Sequence, residues 1–185
     1  MAPQFRYAGP GDAEAVARLH ADSWRRHYRG AYSDAYLDGD VLGDRLAVWS
    51  SRLAAPEGTR TVLAEDGASG DFLGFVHVVL DDDPKWGSLV DNLHVTAARQ
   101  RTGVGRALLA RAAAEAVAHA SSPALHLWVL EQNAPAQAFY AAMGADHVET
   151  LLVGPPGGDP TRLNGTPAKY RMAWPEAAAC AAQAR

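Results

Sequence analysis

Apolar residues recur at helical spacing in the first third of the chain and at strand spacing beyond it. Helical spacing predicts a helix over residues 12–27, with the Asp12 carboxylate as its N-cap, and a second helical region over residues 33–53. Because glycine weakens a helix, we expect this second region to break at Gly39 or Gly43.

Period-two alternation and short apolar runs predict seven strands. They cover residues 4–7, 60–64, 72–80, 86–95, 124–130, 145–153 and 168–174. Further helices are expected at residues 103–119 and 134–143, and residues 81–84 are expected to form a solvated loop. This order of elements packs most simply as an α/β fold, in which one mixed sheet carries helices on both faces.

The composition is that of an ordinary globular protein, with 185 residues of which 48% are apolar and 21% are charged. This length predicts a single domain over residues 1–175, followed by an Ala-rich tail over residues 176–185. The net charge of −4 supplies no positive field for nucleic acid, so we expect no nucleic-acid partner.

Three further absences narrow the expected class of protein. No apolar run approaches the roughly 20 residues that span a bilayer, and no signal peptide is visible, so a cytoplasmic protein without a membrane partner is expected. Cys180 is the single cysteine, which excludes an internal disulfide framework. The seven histidines show no metal-ligand spacing, so no metal is expected.

The most informative segment is a glycine-rich loop between a strand that ends at Val95 and a helix that begins near Gly103. The free N–H groups of a helix N-terminus suit a phosphate or pyrophosphate. A P-loop is excluded because its Gly-Lys-Ser/Thr is absent, and a dinucleotide fingerprint is disfavoured by the bulk of Leu108. The pattern Gln/Arg-x-x-Gly-x-Gly/Ala is satisfied by Gln100, Gly103 and Gly105. Taken alone, this loop is equally compatible with a turn that merely starts a helix.

A second segment about thirty residues further on favours an anion-binding loop over a simple turn. It contains a strand, then Asn133, the pair Phe139-Tyr140 and a terminal Gly144. Together with the strand Asp91-Asn92-Leu93-His94-Val95 and the glycine-rich loop, this segment resembles the GCN5-related N-acetyltransferase (GNAT) superfamily in motif and spacing. One departure is visible, since many members have Gly at the position of Arg101.

The resemblance implies a mostly antiparallel central sheet of about seven strands and a cleft that holds acetyl-CoA, with no metal. The cleft would lie where the strands at residues 86–95 and 124–130 part. The residues that the resemblance assigns to the cofactor are Leu93, His94, Val95, Gln100, Arg101, Thr102, Gly103, Val104, Gly105, Arg106, Asn133 and Tyr140. Asn133 is also a natural helix N-cap, and both roles are compatible.

The implied activity is an acyl-CoA-dependent N-acyltransferase that moves an acetyl group to a primary amine by direct attack in a ternary complex. Tyr140 lies where the family places its general acid, and the surrounding motif favours this role over simple packing beside Phe139 on an amphipathic helix. A phenol with a pKa near 10 can protonate a departing thiolate. Asp91 is the first candidate for a base acting through water, because period two would place it on the face of Leu93 and Val95. Glu131 is the rival base, and the amine could also lose its proton in bulk water.

The acceptor pocket is expected to draw on Trp24, Tyr28 and Tyr32, although their spacing of four, continued by Tyr36, is also typical of a helix core. Aspartates cluster in the same region and would attract a cationic amine if they faced the cleft. They are Asp22, Asp34, Asp38, Asp40 and Asp44.

The acceptor is expected to be a small-molecule or peptide amine, and the resemblance suggests a homodimer. Two other functions remain open at this point. One is transfer of a longer acyl chain, and the other is a catalytically silent acyl-CoA-binding sensor.

Overall fold

The computed structural model describes residues 3–184, and these contain seven strands and six α-helices. The strands are β1 (Pro3–Tyr7), β2 (Thr59–Asp66), β3 (Phe72–Asp83), β4 (Gly87–Val95), β5 (Leu125–Leu130), β6 (Asp146–Leu152) and β7 (Ala168–Trp174). The helices are α1 (Ala13–His27), α2 (Asp34–Asp38), α3 (Val41–Ala54), α4 (Val104–His119), α5 (Ala134–Ala142) and α6 (Ala177–Ala181).

The strands form one sheet in the order β1-β2-β3-β4-β5-β7-β6. Every neighbouring pair is antiparallel except β4 and β5, which run parallel. The expected α/β fold, with a mixed and mostly antiparallel sheet between helices, is confirmed.

Alternating side chains of the central strands build a core on each face of the sheet. Val62 and Val76 pack with α4 on one face. Leu63 and Phe75, each one position away along the same strands, pack with α1 and α3 on the other face. This arrangement follows from the period of two in a strand, and it leaves α1 and α4 on opposite sides of β4.

Two local expectations for the helices need correction. The carboxylate of Asp12 does not cap α1, because it accepts the N–H of Gly9 at 2.8 Å and pairs with Arg6 at 2.8 Å. The second helical region breaks at Gly39, and the side chain of Asp40 then caps α3 by accepting the N–H of Gly43 at 2.8 Å.

Two further segments form regular structure, one against the expectation of a loop and one in a tail that was expected to be helical or frayed. The predicted loop at residues 81–84 is wrong for most of its length, because β3 continues to Asp83, which pairs with Gly87. The alanine-rich segment after Pro175 forms α6, and it buries Ala177 and Cys180 in the same core as α4. Position 175 is therefore not a boundary of the core.

Candidate active site

The two parallel strands at the centre of the sheet separate after a short paired stretch. The pairing of β4 with β5 runs only from Ser88 opposite Leu125 to Val90 opposite Leu127. Beyond that point, β4 remains paired with β3 and β5 remains paired with β7. The gap between them is therefore held open from both sides by the rest of the sheet.

A β-bulge at Asp91 decides which backbone groups of β4 face this gap. Before the bulge, the N–H of Ser88 points to β5 and donates to Ala124 O at 3.1 Å. After it, the N–H of Thr96 points to β3 and donates to Leu73 O at 2.9 Å. By alternation, the backbone groups of Leu93 and Val95 then face the gap. The strand edge predicted for the cofactor is thus exposed.

The loop before α4 presents a row of free amides. Thr102 Oγ1 donates to Arg99 O at 2.6 Å, and Gly103 adopts φ 92°, a conformation that favours glycine. The amide of Ala107 makes the first helical hydrogen bond, to Gly103 O at 3.0 Å. Within residues 3–184, the amides at positions 101–106 have no protein acceptor. Converging amides at a helix N-terminus suit an anionic ligand.

The arginines around this loop differ in their partners. Arg99 is paired with Asp66 at 3.1 Å, whereas Arg101 and Arg106 are exposed and form no ion pair with the residues that the structure describes. Arg101 has φ 61°, which explains why glycine is common at this position in similar loops. A Cβ at Gly105 would lie at ordinary contact distance from its neighbours, 3.6 Å from Val95 Cγ2.

The helix α5 follows β5 and carries Asn133 at its N-terminus and Tyr140 in its last turn. Asn133 Oδ1 caps α5 by accepting the N–H of Ala136 at 3.3 Å, which leaves its amide N–H₂ free to donate. Tyr140 is half-buried and packs at 5.2 Å from Phe139, ring centroid to ring centroid. Burial, and secondly the nearby Tyr28, raise the pKa of the Tyr140 phenol, so it stays protonated at neutral pH.

A cavity of about 360 Å³ opens on the α1 side of the gap. The strands contribute the residues that follow their last paired positions, namely Asp91 and Asn92 from β4 and residues 128–130 from β5. The complete lining is His20, Trp24, Tyr28, Tyr32, Arg45, Arg52, Asp91, Asn92, Trp128, Val129, Leu130, Val153, Gly154, Pro155 and Lys169. The cavity is large enough for a small organic molecule.

The aromatic residues predicted for the acceptor lie together in this cavity. Trp24, Tyr28 and Tyr32 line it, with ring centroids 5.5 Å apart for Trp24 and Tyr28 and 5.2 Å apart for Trp24 and Tyr32. They do not form one helical stripe, because α1 ends at His27. Tyr36 lies outside the lining and donates to Asp44 Oδ2 at 2.7 Å.

The two carboxylates considered as bases occupy different places. Asp91 lines the cavity, where its Oδ2 accepts from Arg52 at 2.7 Å and from Asn92 at 2.6 Å. Its expected position on the face of Leu93 and Val95 is wrong, since those two side chains pack on the α4 face. The bulge adds one residue and so moves Asp91 to the other face.

Glu131 lies outside the aromatic cavity. It is exposed, its Oε1 accepts from Tyr170 at 2.8 Å, and it lines a separate pocket of about 250 Å³.

Sequence reasoning missed several polar residues of the cavity. These are His20, Arg45, Arg52, Asn92 and Lys169. His20 precedes Trp24 by four residues on α1, and this spacing could have placed both on one face. Nothing in the sequence indicates that α3 and β7 bring their cations to the same place.

The aspartates expected near the acceptor point elsewhere. Asp22 pairs with Arg26, and both Asp34 and Asp38 pair with Arg29. The side chain of Asp40 caps α3, and Asp44 pairs with Arg45 and Arg162. None of the five lines the cavity, so they do not form an anionic surface for a cationic amine.

Residues 3–184 contain neither a metal-binding cluster nor a helix that could span a membrane. No group of three or more His, Cys, Asp or Glu side chains is placed to hold a metal ion. In the same part of the chain, every helix is too short or too polar to cross a bilayer.

Comparison with known proteins gives consistent matches. The profile of the acetyltransferase (GNAT) family matches residues 13–145. The uncharacterized N-acetyltransferase YuaI of Bacillus subtilis (strain 168) is 31% identical over 137 residues, which cover 74% of this chain and 76% of YuaI.

Solved structures match over almost the whole chain. The PaiA N-acetyltransferase of Thermoplasma acidophilum, in complex with coenzyme A, has a TM-score of 0.69 at 17% identity, covering 94% of this chain and 100% of that one. YncA of Salmonella typhimurium, with its cofactor acetyl-CoA, has a TM-score of 0.65 at 20% identity and covers 94% of each chain.

Proposed function

This chain belongs to the acetyltransferase (GNAT) family, and from that premise we propose that it transfers an acetyl group from acetyl-CoA to a primary amine by direct attack in a ternary complex. The observation that carries this proposal is the gap between β4 and β5, which has free amides along one edge and an acceptor-sized cavity on one side. Acetyl-CoA supplies an activated acyl carbon to this gap.

The residues of the loop fit the cofactor. The free amides at positions 101–106 would donate to a pyrophosphate, and Arg101 and Arg106 would neutralise part of its charge. The unpaired backbone groups of Leu93 and Val95 would pair with the extended, amide-containing pantetheine arm of acetyl-CoA, as a strand added to β4. The N–H of Leu93 or Val95 would also donate to the thioester oxygen. The free amide of Asn133 would donate to the same arm.

Tyr140 would act as the general acid. Its phenol has no hydrogen-bond partner among residues 3–184, so it is available to a departing thiolate at the gap. Its raised pKa keeps the proton on the oxygen at neutral pH, which is the form that an acid must have before the reaction.

Asp91 would accept the proton of the amine through water. It is the carboxylate that lines the cavity, whereas Glu131 lies outside the lining. Its hydrogen bonds to Arg52 and Asn92 engage Oδ2, so Oδ1 is left to contact a water molecule. Glu131 remains the rival to be tested against it.

Assembly as a homodimer would use the edge of the sheet formed by β6. This strand is exposed along most of its length, and it presents Val148, Leu151 and Leu152 to solvent at 38%, 45% and 65% of their surface. An apolar edge strand readily pairs with a second copy. Light scattering at two protein concentrations would test this, and a monomer at both would contradict it.

Thermal melting with saturating acetyl-CoA, compared with NAD and ATP, tests the proposed function. A ligand at 100 times its dissociation constant stabilises by about 2.7 kcal/mol, which is roughly 5–11 °C for a chain of this size. A shift with acetyl-CoA alone, followed by thiol release with amines, supports transfer. No shift with acetyl-CoA, or a larger shift with NAD or ATP, overturns it.

Two further outcomes separate the alternatives. A shift without turnover on any amine would indicate an acyl-CoA sensor. Faster turnover with a longer acyl-CoA would indicate a different acyl donor.

A further inference from the structure

The charges in the aromatic cavity are mainly positive. Arg45, Arg52 and Lys169 line it, and Asp91 is its one carboxylate among the described residues. Asp91 is already paired with Arg52 at 2.7 Å. Like charges brought together in a partly buried site repel strongly, so a polycationic acceptor would be disfavoured there.

Two residues of the lining carry a buried donor that has no acceptor within residues 3–184. Trp49 Nε1 donates to His20 Nδ1 at 2.9 Å, so the proton of this imidazole is assigned to Nε2. His20 is 2% exposed, and its Nε2 has no hydrogen-bond partner in the described part of the chain. Arg45 Nε is also buried and unpaired, although the outer Nη2 of the same guanidinium is paired with Asp44 at 2.8 Å. Both atoms can only donate, and leaving a buried donor unsatisfied is costly.

Both residues are held in place by other contacts. The guanidinium of Arg45 lies 4.3 Å from the ring centroid of Trp24. The imidazole of His20 packs against Trp24 at 4.7 Å and His94 at 4.9 Å, and burial lowers its pKa well below 6.5. His20 is therefore a fixed neutral donor and does not add a further positive charge to the cavity. The two residues belong to the neighbouring helices α1 and α3, and both line the cavity.

Lys169 of β7 adds another cation to the lining of the cavity. Among the residues that the structure describes, it has no carboxylate within 4.0 Å, and its ammonium lies 4.3 Å from the ring centroid of Trp128. An uncompensated cation over an aromatic ring favours an anionic group nearby. Val129, Leu130 and Val153 contribute apolar side chains to the same lining.

Resting on the proposed function, we propose that the acceptor is a small amine that carries a carboxylate and an apolar side chain, as an apolar α-amino acid does. Its carboxylate would accept from Arg45 Nε and His20 Nε2, and its side chain would lie against Trp24, Tyr28 and Trp128. Its amine would lie near Asp91, at the mouth of the gap. In the reaction, the amine nitrogen forms a bond to the acetyl carbon and gives up a proton to Asp91 through water. The carbon–sulfur bond breaks, and the departing thiolate takes a proton from Tyr140.

Matched sets of acceptors test this proposal. Phenylalanine, leucine, methionine and tryptophan are each compared with their carboxamide and with the amine that lacks the carboxyl group. Acetyl-CoA binding is first established by thermal melting, since its failure would contradict the proposed function itself. Binding of each acceptor to the CoA-loaded enzyme is then measured by calorimetry, and kcat/KM by thiol release.

The expected result is a preference of about 10- to 100-fold for at least one acid over its carboxamide and its decarboxylated amine, which is the strength of hydrogen bonds to a charged group. Equal or better binding of the amides, the plain amines or spermidine would overturn the proposal. It would also be overturned if acetyl-CoA binds and none of the acids does.

Substitutions of Arg45 and Lys169 test whether these residues cause the preference for the acid over its amide. Arg45→Gln should reduce the acid-to-amide ratio at least tenfold, mainly through KM, and Arg45→Lys should recover only part of it because lysine has no Nε–H in that position. Lys169→Gln, on a different element, should also reduce the ratio. Arg18→Gln removes an exposed arginine that is paired with Glu14 on α1, and it should leave the ratio unchanged. An unchanged ratio in both Arg45→Gln and Lys169→Gln, with acetyl-CoA binding intact, would contradict the assignment.

Discussion

The loop before α4 and the aromatic cavity lie on opposite faces of the sheet at β4. The loop offers backbone groups of one segment, whereas the cavity is built from side chains of several elements. The loop is one continuous segment, and its functional groups are backbone amides at positions 101–106. The cavity is assembled from side chains of α1, α3, β4, β5 and β7 together with the connecting loops.

This difference separates what each region can recognise. A row of amides recognises a phosphate or an extended amide chain and tolerates most side chains, because the donors belong to the backbone. A cavity of side chains takes its charge and shape from each residue, so one substitution changes its ligand. We therefore expect cofactor binding to tolerate most side-chain substitutions in the loop. Acceptor binding should instead change with single substitutions in the cavity.

Tyr140→Phe is expected to have the largest effect. Loss of the proton donor should lower kcat by on the order of 10²–10⁴, while the melting shift with acetyl-CoA stays within about 1 °C of wild type. Steady-state thiol release and thermal melting measure the two quantities. Phe139→Leu removes the neighbouring ring without touching the phenol, and an equal loss of kcat in this control would argue for packing rather than acid catalysis.

Asp91→Asn compares the cavity carboxylate with its rival. Loss of a general base should lower the rate at pH 7 by about 10²-fold, and the deficit should shrink at high pH as the free amine deprotonates in solution. Asparagine can still accept a hydrogen bond from Arg52, so the fold is expected to be retained.

Glu131→Gln is the matched variant for this comparison, because its carboxylate lies outside the cavity. It should keep most of its activity across the same pH range. A larger deficit for Glu131→Gln than for Asp91→Asn would reverse the assignment of the base.

Gly103→Ala tests whether backbone conformation governs the loop. A non-glycine residue at φ 92° costs about 1–2 kcal/mol, so coenzyme A affinity should fall by roughly 5- to 30-fold as the loop relaxes. Gly105→Ala is the control, because its Cβ meets Val95 Cγ2 at 3.6 Å without a clash. Equal losses in calorimetric titrations of the two variants would show that the left-handed conformation is not the important feature.

Acidic pH should lower the stability of the fold through His94 on the cavity side of β4, rather than through the loop before α4. Burial, and secondly His27, lower the pKa of His94 to about 4, against an unfolded value of 6.5. The folded state then binds fewer protons than the unfolded state, so this contribution to stability is complete above pH 6.5 and is lost as the pH falls towards 4. The loop at residues 99–106 contains no Asp, Glu or His.

Denaturant unfolding between pH 7 and pH 4 measures this effect. His94→Gln should reduce the slope of unfolding free energy against pH by up to about 1.4 kcal/mol per pH unit. A slope that is unaltered by His94→Gln would mean that this histidine titrates in the folded state as it does in the unfolded chain.

Most elements of the fold were predictable, because their periods of hydrophobicity are local. The helix α4 and the strand β7 begin and end within one residue of their predicted bounds. The continuation of β3 to Asp83 was not predictable, since three consecutive aspartates are typical of a loop and the pairing of Asp83 with Gly87 comes from β4. The position of α6 on the core was missed because alanine carries little pattern.

The sequence by itself determined the family, the glycine-rich loop and the place of Tyr140 in the chain, because each depends on residues close together in sequence. Only the tertiary structure decided the face of Asp91, through a bulge that needs β3 as a partner. It also decided the charge of the cavity, since Arg45 of α3 and Lys169 of β7 approach the same space only after the sheet has formed and α3 has packed on it. Local sequence encodes backbone conformation directly, whereas a side-chain cavity is a property of elements that are distant in sequence and become neighbours on folding.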